Sequence, residues 1–346
     1  MIPRAYITID GVPVRWSDII SLTWESTLYL AADSLEVELC NRELLSDWLR
    51  KNQETKLYLG YVKDAQSWSA KELRFCFAGK IDGVKPRFAG EGETVTLMCR
   101  DFSRDLIDTE YSIAYAERTA SQIAEMLAQK HGLVPQVTPT TDILERDIFH
   151  DTTEWKMLQE LAEREGYVCY VKKEKKLVFA PRAEEAEIVG RYVWKKNVVS
   201  ADFDDSSVGV YNKVTVRHWT KKQRIEASAQ DDFLIQQMGR VVERVIYDSQ
   251  IKSYAQAKEK AEKRLKELSR QVITGELTVV GDPALEAEKR VILEGFGRFS
   301  GTYYINRAIH RFGVSGYTVD LSVTNIRPQD AQQYRQDLYN YQNKKM

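Results

Sequence analysis

The sequence predicts a β-rich α+β fold in which two similar β domains flank a small inserted α+β module. Three observations predict it: alternating strands near both ends, a helix and hairpin in the middle, and one motif shared by both β regions. The stretch "LEVELC" shows the strand signal, because Leu35, Val37 and Leu39 alternate with glutamates as in a half-buried strand. The expected divisions are 1–105, 106–187 and 188–327, followed by a C-terminal tail at 328–346.

The first β region is predicted from its turns as well as its strands. The pairs Asp10-Gly11 and Asp82-Gly83 are both strong hairpin signals. Apolar and β-branched residues recur at strand spacing around them. We expect strands at 19–25, 34–40, 56–62, 73–81 and 94–99.

The inserted module is predicted from "DTTEWKMLQELAEREGYVCYVKKEKKLVFAP" at 151–181. Asp151 and Glu154 have the spacing of a capping box at the start of a helix. Gly166 stands where that helix would end in a left-handed residue. Two apolar runs then follow, joined by the charged turn "KKEKK", and indicate a hairpin. An earlier helix is expected to begin after Thr119 and to end at His131-Gly132.

The second β region is predicted to contain strands and one helix. We expect the helix to be capped by Ser253 and to pack through a narrow apolar stripe on one sheet. The stripe consists of Tyr254, Ala257, Ala261, Leu265 and Leu268. The strands are expected at 209–218, 240–247, 272–280, 290–294, 302–311 and 317–325.

A motif of the form R-F-x-x-x-G-x-T-V-x-L occurs twice, at 87–97 and at 311–321. Hairpins converge on glycine and alternating β formers, so shared hairpin chemistry is one explanation. Duplication of a β domain is the other. Duplication predicts that the two domains superpose with Phe88 on Phe312 and Leu97 on Leu321.

Composition excludes several classes of function. The 346 residues include 50 Lys and Arg against 51 Asp and Glu, and this balance argues against a sequence-specific or general nucleic-acid partner. No run reaches the ~18 apolar residues of a membrane span, so no membrane partner is expected. The four cysteines, at 40, 76, 99 and 169, have no redox or zinc spacing and are expected to be free thiols, as in a protein made in the cytoplasm.

The residues that carry chemistry form no recognisable catalytic constellation. The histidines at 131, 150, 218 and 310 have no metal-ligand spacing, so each is expected to be structural. Neither a P-loop nor a nucleophile elbow occurs. Glu160, Glu163 and Glu165 are expected on a solvated helix face. We therefore predict no catalytic, metal or cofactor residues and no enzymatic activity, and no motif identifies partner-contact residues.

Together, the helix–hairpin segment, the preceding "DFSRDLIDTEY" and "RTASQIAEMLAQKHGL", and the ending "GTYYINRAIHRFGVSGYTVDLSV" resemble the phage late control gene D proteins, the baseplate hub family of contractile tails. Related modules occur in type VI secretion spikes. The resemblance covers roughly 70–325 and implies two tail-tube-like β-barrels. It also implies a homotrimeric ring that adapts a hexameric tail tube to a trimeric central spike. Tape measure and baseplate wedge proteins are further partners it suggests, in a tail baseplate assembled in the bacterial cytoplasm.

The sequence departs from that family in one place and leaves alternatives open. The family's glycine before the penultimate strand pair is not evident in "GDPALEAEKRVIL". No spike repeats follow the second β region, so we expect the spike to be a separate protein. The alternatives are a tail-associated peptidoglycan hydrolase, a tail-tip protein of a non-contractile tail, and a β module that binds carbohydrate or nucleic acid.

Overall fold

The computed structural model describes residues 1–27, 32–90, 92–181, 186–206, 209–219, 224–248, 251–269 and 273–325. The tail expected at 328–346 lies outside these residues. The strands are β1 (Ile2–Ile9), β2 (Val12–Pro13), β3 (Ile19–Thr27), β4 (Ser34–Cys40), β5 (Glu54–Val62), β6 (Arg74–Ala89), β7 (Gly92–Arg100), β8 (Glu110–Thr119), β9 (Val134–Val137), β10 (Ile143–Thr153), β11 (Tyr167–Lys172), β12 (Lys176–Pro181), β13 (Ile188–Val193), β14 (Val198–Asp204), β15 (Lys213–Trp219), β16 (Arg224–Gln230), β17 (Glu243–Tyr247), β18 (Thr274–Val280), β19 (Arg290–Glu294), β20 (Gly301–Gly313) and β21 (Gly316–Asn325). The α-helices are α1 (Arg104–Asp108), α2 (Ala120–Lys130), α3 (Glu154–Glu165), α4 (Asp232–Met238) and α5 (Tyr254–Leu268).

A 13-stranded sheet contains the strands of both predicted β regions. Its strands pair in the order β14-β18-β21-β20-β3-β4-β7-β6-β5-β1-β2, and β19 joins β20 to β13. A single cluster of buried apolar side chains, drawn from both regions, packs against this sheet. The prediction of a β-rich α+β fold is confirmed.

The two closed barrels predicted from the resemblance are not found in the described part of the chain. The strand order is an open path with β14 at one end and β2 at the other. The cause is the antiparallel pairing of β3 with β20, which joins the two β regions edge to edge. The prediction is therefore corrected to one open sheet shared by two β units.

The inserted module has its own core, built by α2, α3 and a three-stranded sheet of β11, β12 and β9. Its first helix has the predicted cap, since the Thr119 hydroxyl accepts the backbone N–H of Gln122 and the Gln122 side chain accepts that of Thr119. Gly166 ends α3 with φ of 67°, as predicted. None of the helices in the described ranges is long and apolar enough to cross a membrane.

The predicted cap at the start of α3 is wrong. The helix begins after Thr153, whose hydroxyl accepts the backbone N–H of Lys156 at 3.2 Å. Asp151 instead has φ of 42° and accepts a hydrogen bond from the hydroxyl of Ser112 at 2.9 Å. Glu154 is turned into the module and is fully buried. Asp151 and Thr153 are both residue types that begin helices, and they lie two positions apart. Spacing alone therefore could not identify Thr153 as the cap.

The predicted helix of the second β region is present as α5 and packs on one sheet, as predicted. It lies on β15 and β16, which form a separate three-stranded sheet with β17. Ala257 and Ala261 are fully buried in that contact, whereas Tyr254, the first residue of the helix, is 62% exposed. The region from 188 to 327 therefore contributes two cores, one in the large sheet and one under α5.

Candidate assembly interface

The two hairpins that carry the repeated motif have the same register. In each hairpin the motif phenylalanine lies next to the turn, and the motif leucine faces the residue four positions before that phenylalanine. The occupants of matching positions are Ile81 and Ile305, Val84 and Ala308, Phe88 and Phe312, Glu93 and Tyr317, and Leu97 and Leu321. The predicted equivalence of the hairpins is confirmed at the level of register, while superposition of the whole units stays a prediction.

Bulges also occur at matching positions in the two β units. The long strands are bulged at Asp82 in β6 and at Asn306 in β20. The strands β3 and β14 are bulged at Ile20 and Val199. A bulge adds one residue at a specific place in a ladder. Two coincident bulges therefore favour duplication over shared hairpin chemistry.

The second predicted turn, at Asp82-Gly83, is wrong because β6 continues through it. The pair forms the bulge instead. A Cβ at Gly83 would lie 2.3 Å from the terminal methyl group of Met98, so a larger residue here would displace the end of that side chain. Asp82 binds Arg104 at 2.7 Å and also pairs with Arg100. The first predicted turn, at Asp10-Gly11, is confirmed between β1 and β2.

The order of strands repeats as well. We call β1 and β3–β7 the first β unit, and β13, β14 and β18–β21 the second β unit. The first pairs in the order β3-β4-β7-β6-β5-β1 and the second in the order β14-β18-β21-β20-β19-β13. One pairing differs in direction, since β1 is antiparallel to β5 whereas β13 is parallel to β19. Position by position, β14 is the counterpart of β3, and β6 is the counterpart of β20.

The two β units meet at an internal seam, which we define as residues 22–27 of β3 paired with 307–312 of β20. On the core side, the ring of Trp24 stacks on that of His310 with 4.2 Å between centroids. On the outer side, Arg307 Nε lies 2.6 Å from Glu25 Oε1. The seam thus combines backbone pairing with aromatic packing on one face and an ion pair on the other.

His310 is a neutral, fully buried element of the seam. The carbonyl of Leu285 can only accept, so His310 Nε2 donates to it at 2.6 Å, and Nδ1 accepts from the hydroxyl of Tyr317 at 2.7 Å. Burial lowers the pKa of His310 to about 3, against the opposing effect of the bond to Leu285. The predicted structural role of this histidine is confirmed.

Among the residues that the structure describes, two strand edges equivalent to those in the seam are open. The part of β20 after its bulge pairs with β3, but the matching part of β6, residues 83–88, has no strand on that side within the described chain. The edge of β14 is likewise the end of the large sheet. Phe88 is 60% exposed and Val199 is 61% exposed at these edges. Open edges present unpaired N–H and C=O groups and are templates for another chain.

A buried carboxylate ties together the inserted module. The carboxylate of Glu154, at the start of α3, accepts hydrogen bonds from Lys130 Nζ at 2.6 Å and from the hydroxyl of Tyr111. It also contacts His131 Nε2. Burial alone would raise the pKa of Glu154, but these three partners hold it below its ordinary value. Spacing alone places Glu154 in a helix cap and predicts a structural role for a lone His131, so their contact was not predicted. The cluster links the end of α2 to the start of α3.

Replacing Glu154 with Gln is expected to lower the free energy of unfolding at pH 7 by about 1–3 kcal/mol, because a charged acceptor is lost from a buried cluster. A carboxylate with a lowered pKa stabilises the protein above its unfolded pKa and loses that contribution as the pH falls through its folded pKa. The two proteins should therefore converge in acid. Urea unfolding at pH 7 and pH 3 measures this, with the exposed Glu125→Gln as control. Equal stability of wild type and Glu154→Gln at pH 7 would show that the cluster is not stabilising.

One cavity of about 600 Å³ lies beside the seam and is lined by Asp33, Asp101 and Glu286, among others. Burial raises the pKa of Asp101 to about 6 and also raises that of Asp33. Asp101 accepts backbone N–H groups of Asp33 at 3.0 Å and Ser103 at 2.8 Å, so it braces the local chain. Carboxyls with raised pKa values in a cavity are also a pattern of hydrolases. Any hydrolytic site in the described chain is to be tested here first.

Metal chemistry has no candidate group in the part of the chain that the structure describes. No cluster of three or more His, Cys, Asp or Glu side chains is arranged to hold an ion there. All four cysteines are free thiols, as predicted.

Solved structures of tail proteins have the same fold as this chain. The 43 kDa tail protein of prophage MuSo2 from Shewanella oneidensis is 16% identical, with a TM-score of 0.72 over 94% of this chain and 98% of that one. A tail protein from Neisseria meningitidis MC58 is 14% identical, with a TM-score of 0.73 over 94% of this chain and 97% of that one. A type VI secretion component of Escherichia coli is described as similar to bacteriophage T4 tail proteins gp27 and gp5. It is 12% identical, with a TM-score of 0.60 over 93% of this chain and 77% of that one.

Sequence comparison adds a family. No curated protein matches the chain. The model of the Alg8 N-terminal domain matches residues 69–313, which is more than half of the sequence. The chain belongs to the Alg8 N-terminal domain family.

Proposed function

We propose that this protein is a structural hub in the baseplate of a contractile phage tail or tail-like particle. Three copies form a ring that adapts a hexameric tail tube to a trimeric central spike. Membership of the late control gene D hub family is part of this proposal. The observation that carries it is the repeat of strand order, register and bulges in two β units of a chain with a tail-protein fold.

The symmetry of a three-chain ring connects the repeat to the proposed role. Three chains with two equivalent β units each present six similar units to a neighbour above or below. First and second β units alternate around the ring and carry different additional elements. The ring as a whole therefore has only three-fold symmetry. Closed rings of this kind arise when a head-to-tail contact has a rotation that closes. A ring with six similar units suits a hexameric tube on one face and a trimeric spike on the other.

The proposed partners follow from that position. They are two further copies of the chain, a trimeric spike protein and a hexameric tube protein, with tape measure and baseplate wedge proteins as additional neighbours. The proposed location is a virion tail or tail-like particle, assembled in the bacterial cytoplasm. The role needs no enzymatic activity, cofactor or metal.

Mass in solution tests the proposal. Light scattering on the purified protein is expected to give three chains of 40.0 kDa each, and negative-stain images should show a ring with a central opening. A protein that stays as single chains at its highest soluble concentration would contradict the proposed hub.

A cell-wall assay tests the rival hydrolase function. We expect no turnover of purified peptidoglycan by the wild-type protein. Turnover that disappears in Asp33→Asn or Asp101→Asn would instead assign the cavity beside the seam as an active site.

A further inference from the structure

We propose that the open edge of β14 binds a second copy of this chain, by antiparallel pairing with residues 83–88 of that copy's β6. The inference rests on the proposed ring and adds its contact surface and register. Its basis is the internal seam, which already shows how the edge of one β unit pairs with the other unit.

The register follows from replacing each strand of the internal seam by its counterpart. In the internal seam β3 pairs with β20. Since β14 is the counterpart of β3 and β6 is the counterpart of β20, an equivalent contact between chains pairs β14 of one copy with β6 of the next. The expected opposite residues are Phe88 and Ala201, Arg87 and Asp202, Pro86 and Phe203, Lys85 and Asp204, Val84 and Asp205, and Gly83 and Ser206, as the seam pairs Phe312 through Arg307 with Leu22 through Thr27.

Charge complementarity supports this register. Arg87 and Lys85 fall opposite Asp202 and Asp204, and all four side chains are exposed. None of the four has an ion-pair partner among the residues that the structure describes. Opposite charges directly across an antiparallel pair stabilise it, whereas a shift by one residue in either direction would place Arg87 opposite Ala201 or Phe203.

Exposed aromatic side chains support it on the other face. Phe312 is only 8% exposed, and the ring of Trp16 from the first β unit packs on it at 5.6 Å. Its counterpart Phe88 is 60% exposed. Trp194, which precedes β14 much as Trp16 precedes β3, is 38% exposed. The neighbouring copy would bring Phe88 to this place and cover both rings.

Pro86 limits how well an arbitrary strand can pair with this edge. Proline lacks a backbone N–H, and natural proteins place it on edge strands where it removes one ladder bond. It stands where the internal seam has His310. The edge therefore forms a weaker backbone ladder than the seam, and the flanking cations and Phe88 must supply the selectivity.

The contact is head to tail, so its closure decides the assembly. Within a chain, the first β unit pairs with the second β unit through the internal seam. Between chains, the second β unit of one copy pairs in the equivalent way with the first β unit of the next copy. Six such steps close a ring of three chains, whereas a rotation that does not close would give a filament.

Charge reversal tests the contact in the full-length protein. Lys85→Glu with Arg87→Glu is expected to abolish the three-chain species in light scattering and leave single chains. Asp202→Lys with Asp204→Lys should do the same. The variant with all four changes restores opposite charges across the contact and should regain the three-chain mass. Lys51→Glu with Lys63→Glu, an equal reversal at exposed sites away from both edges, is the control and should remain trimeric.

The outcomes separate this inference from the proposed function. Thermal unfolding first establishes that the variants fold like the wild type. A trimeric wild type whose edge variants are also trimeric, or whose four-change variant stays as single chains, overturns this contact while leaving the ring. A wild type that is itself a single chain overturns the ring.

Discussion

Acidification from pH 7 to pH 4 is expected to lower the free energy of unfolding by roughly 3 kcal/mol through His310 alone. The imidazole is neutral and buried in the seam, with both nitrogens engaged. Its pKa is lowered to about 3, while an unfolded histidine titrates near ~6.5. Between these two pKa values, the His310 imidazole is therefore protonated in the unfolded chain and neutral in the folded chain. Stability is present above the unfolded pKa and is lost as the pH falls towards the folded pKa.

A variant without His310 isolates the pH dependence of stability that this histidine causes. His310→Gln has no group to protonate in that range, so its stability should depend less on pH than that of the wild type. Guanidinium unfolding of both proteins at pH 7, 5.5 and 4 measures the difference, with exposed His150→Gln as the control. If the wild type and His310→Gln lost stability in parallel, the seam histidine would have to be protonated in the folded state.

Replacing Trp24 with Ala is expected to cost about 3–5 kcal/mol of stability, the range for removing a large aromatic side chain from a core. Trp24 is fully buried where the two β units join, and it stacks on His310. Removing it leaves a cavity between the units and exposes the imidazole to that space. The loss should fall on the union of the two units more than on the inserted module.

Hydrogen exchange localises that effect. Amides of β3 and β20 should exchange faster in Trp24→Ala, while those of α2 and α3 keep their protection. Trp24→Phe keeps most of the apolar volume and should lose less, and Trp219→Ala, at an exposed site, should change little. Equal loss of protection in the module would mean that the whole chain unfolds as one unit.

The local elements were largely predictable because their signals lie within a few residues. The alternation of Leu35, Val37 and Leu39 gave β4, and Thr119 with Gln122 gave the start of α2. The pair Asp82-Gly83 misled because glycine serves equally in a turn and at a bulge. The Met98 methyl group that lies against this glycine comes from another strand.

The candidate interface was less predictable because it depends on pairing between distant segments. The strand β14 was missed, although Ala201 and Phe203 alternate with acidic residues in "SADFD". Nothing in the spacing of Trp24 and His310 indicates that they stack across the seam. The motif repeat was the one local sign of equivalent β units, and only the registers and bulges extended it to β3 and β14.

An electron cryomicroscopy map of the purified assembly tests the central claim most directly, namely that the seam inside the chain is repeated between chains. We predict a ring of three chains in which β14 of each pairs with residues 83–88 of the next, Arg87 facing Asp202. A map in which these two edges face solvent, or are covered by any other segment, would contradict the account.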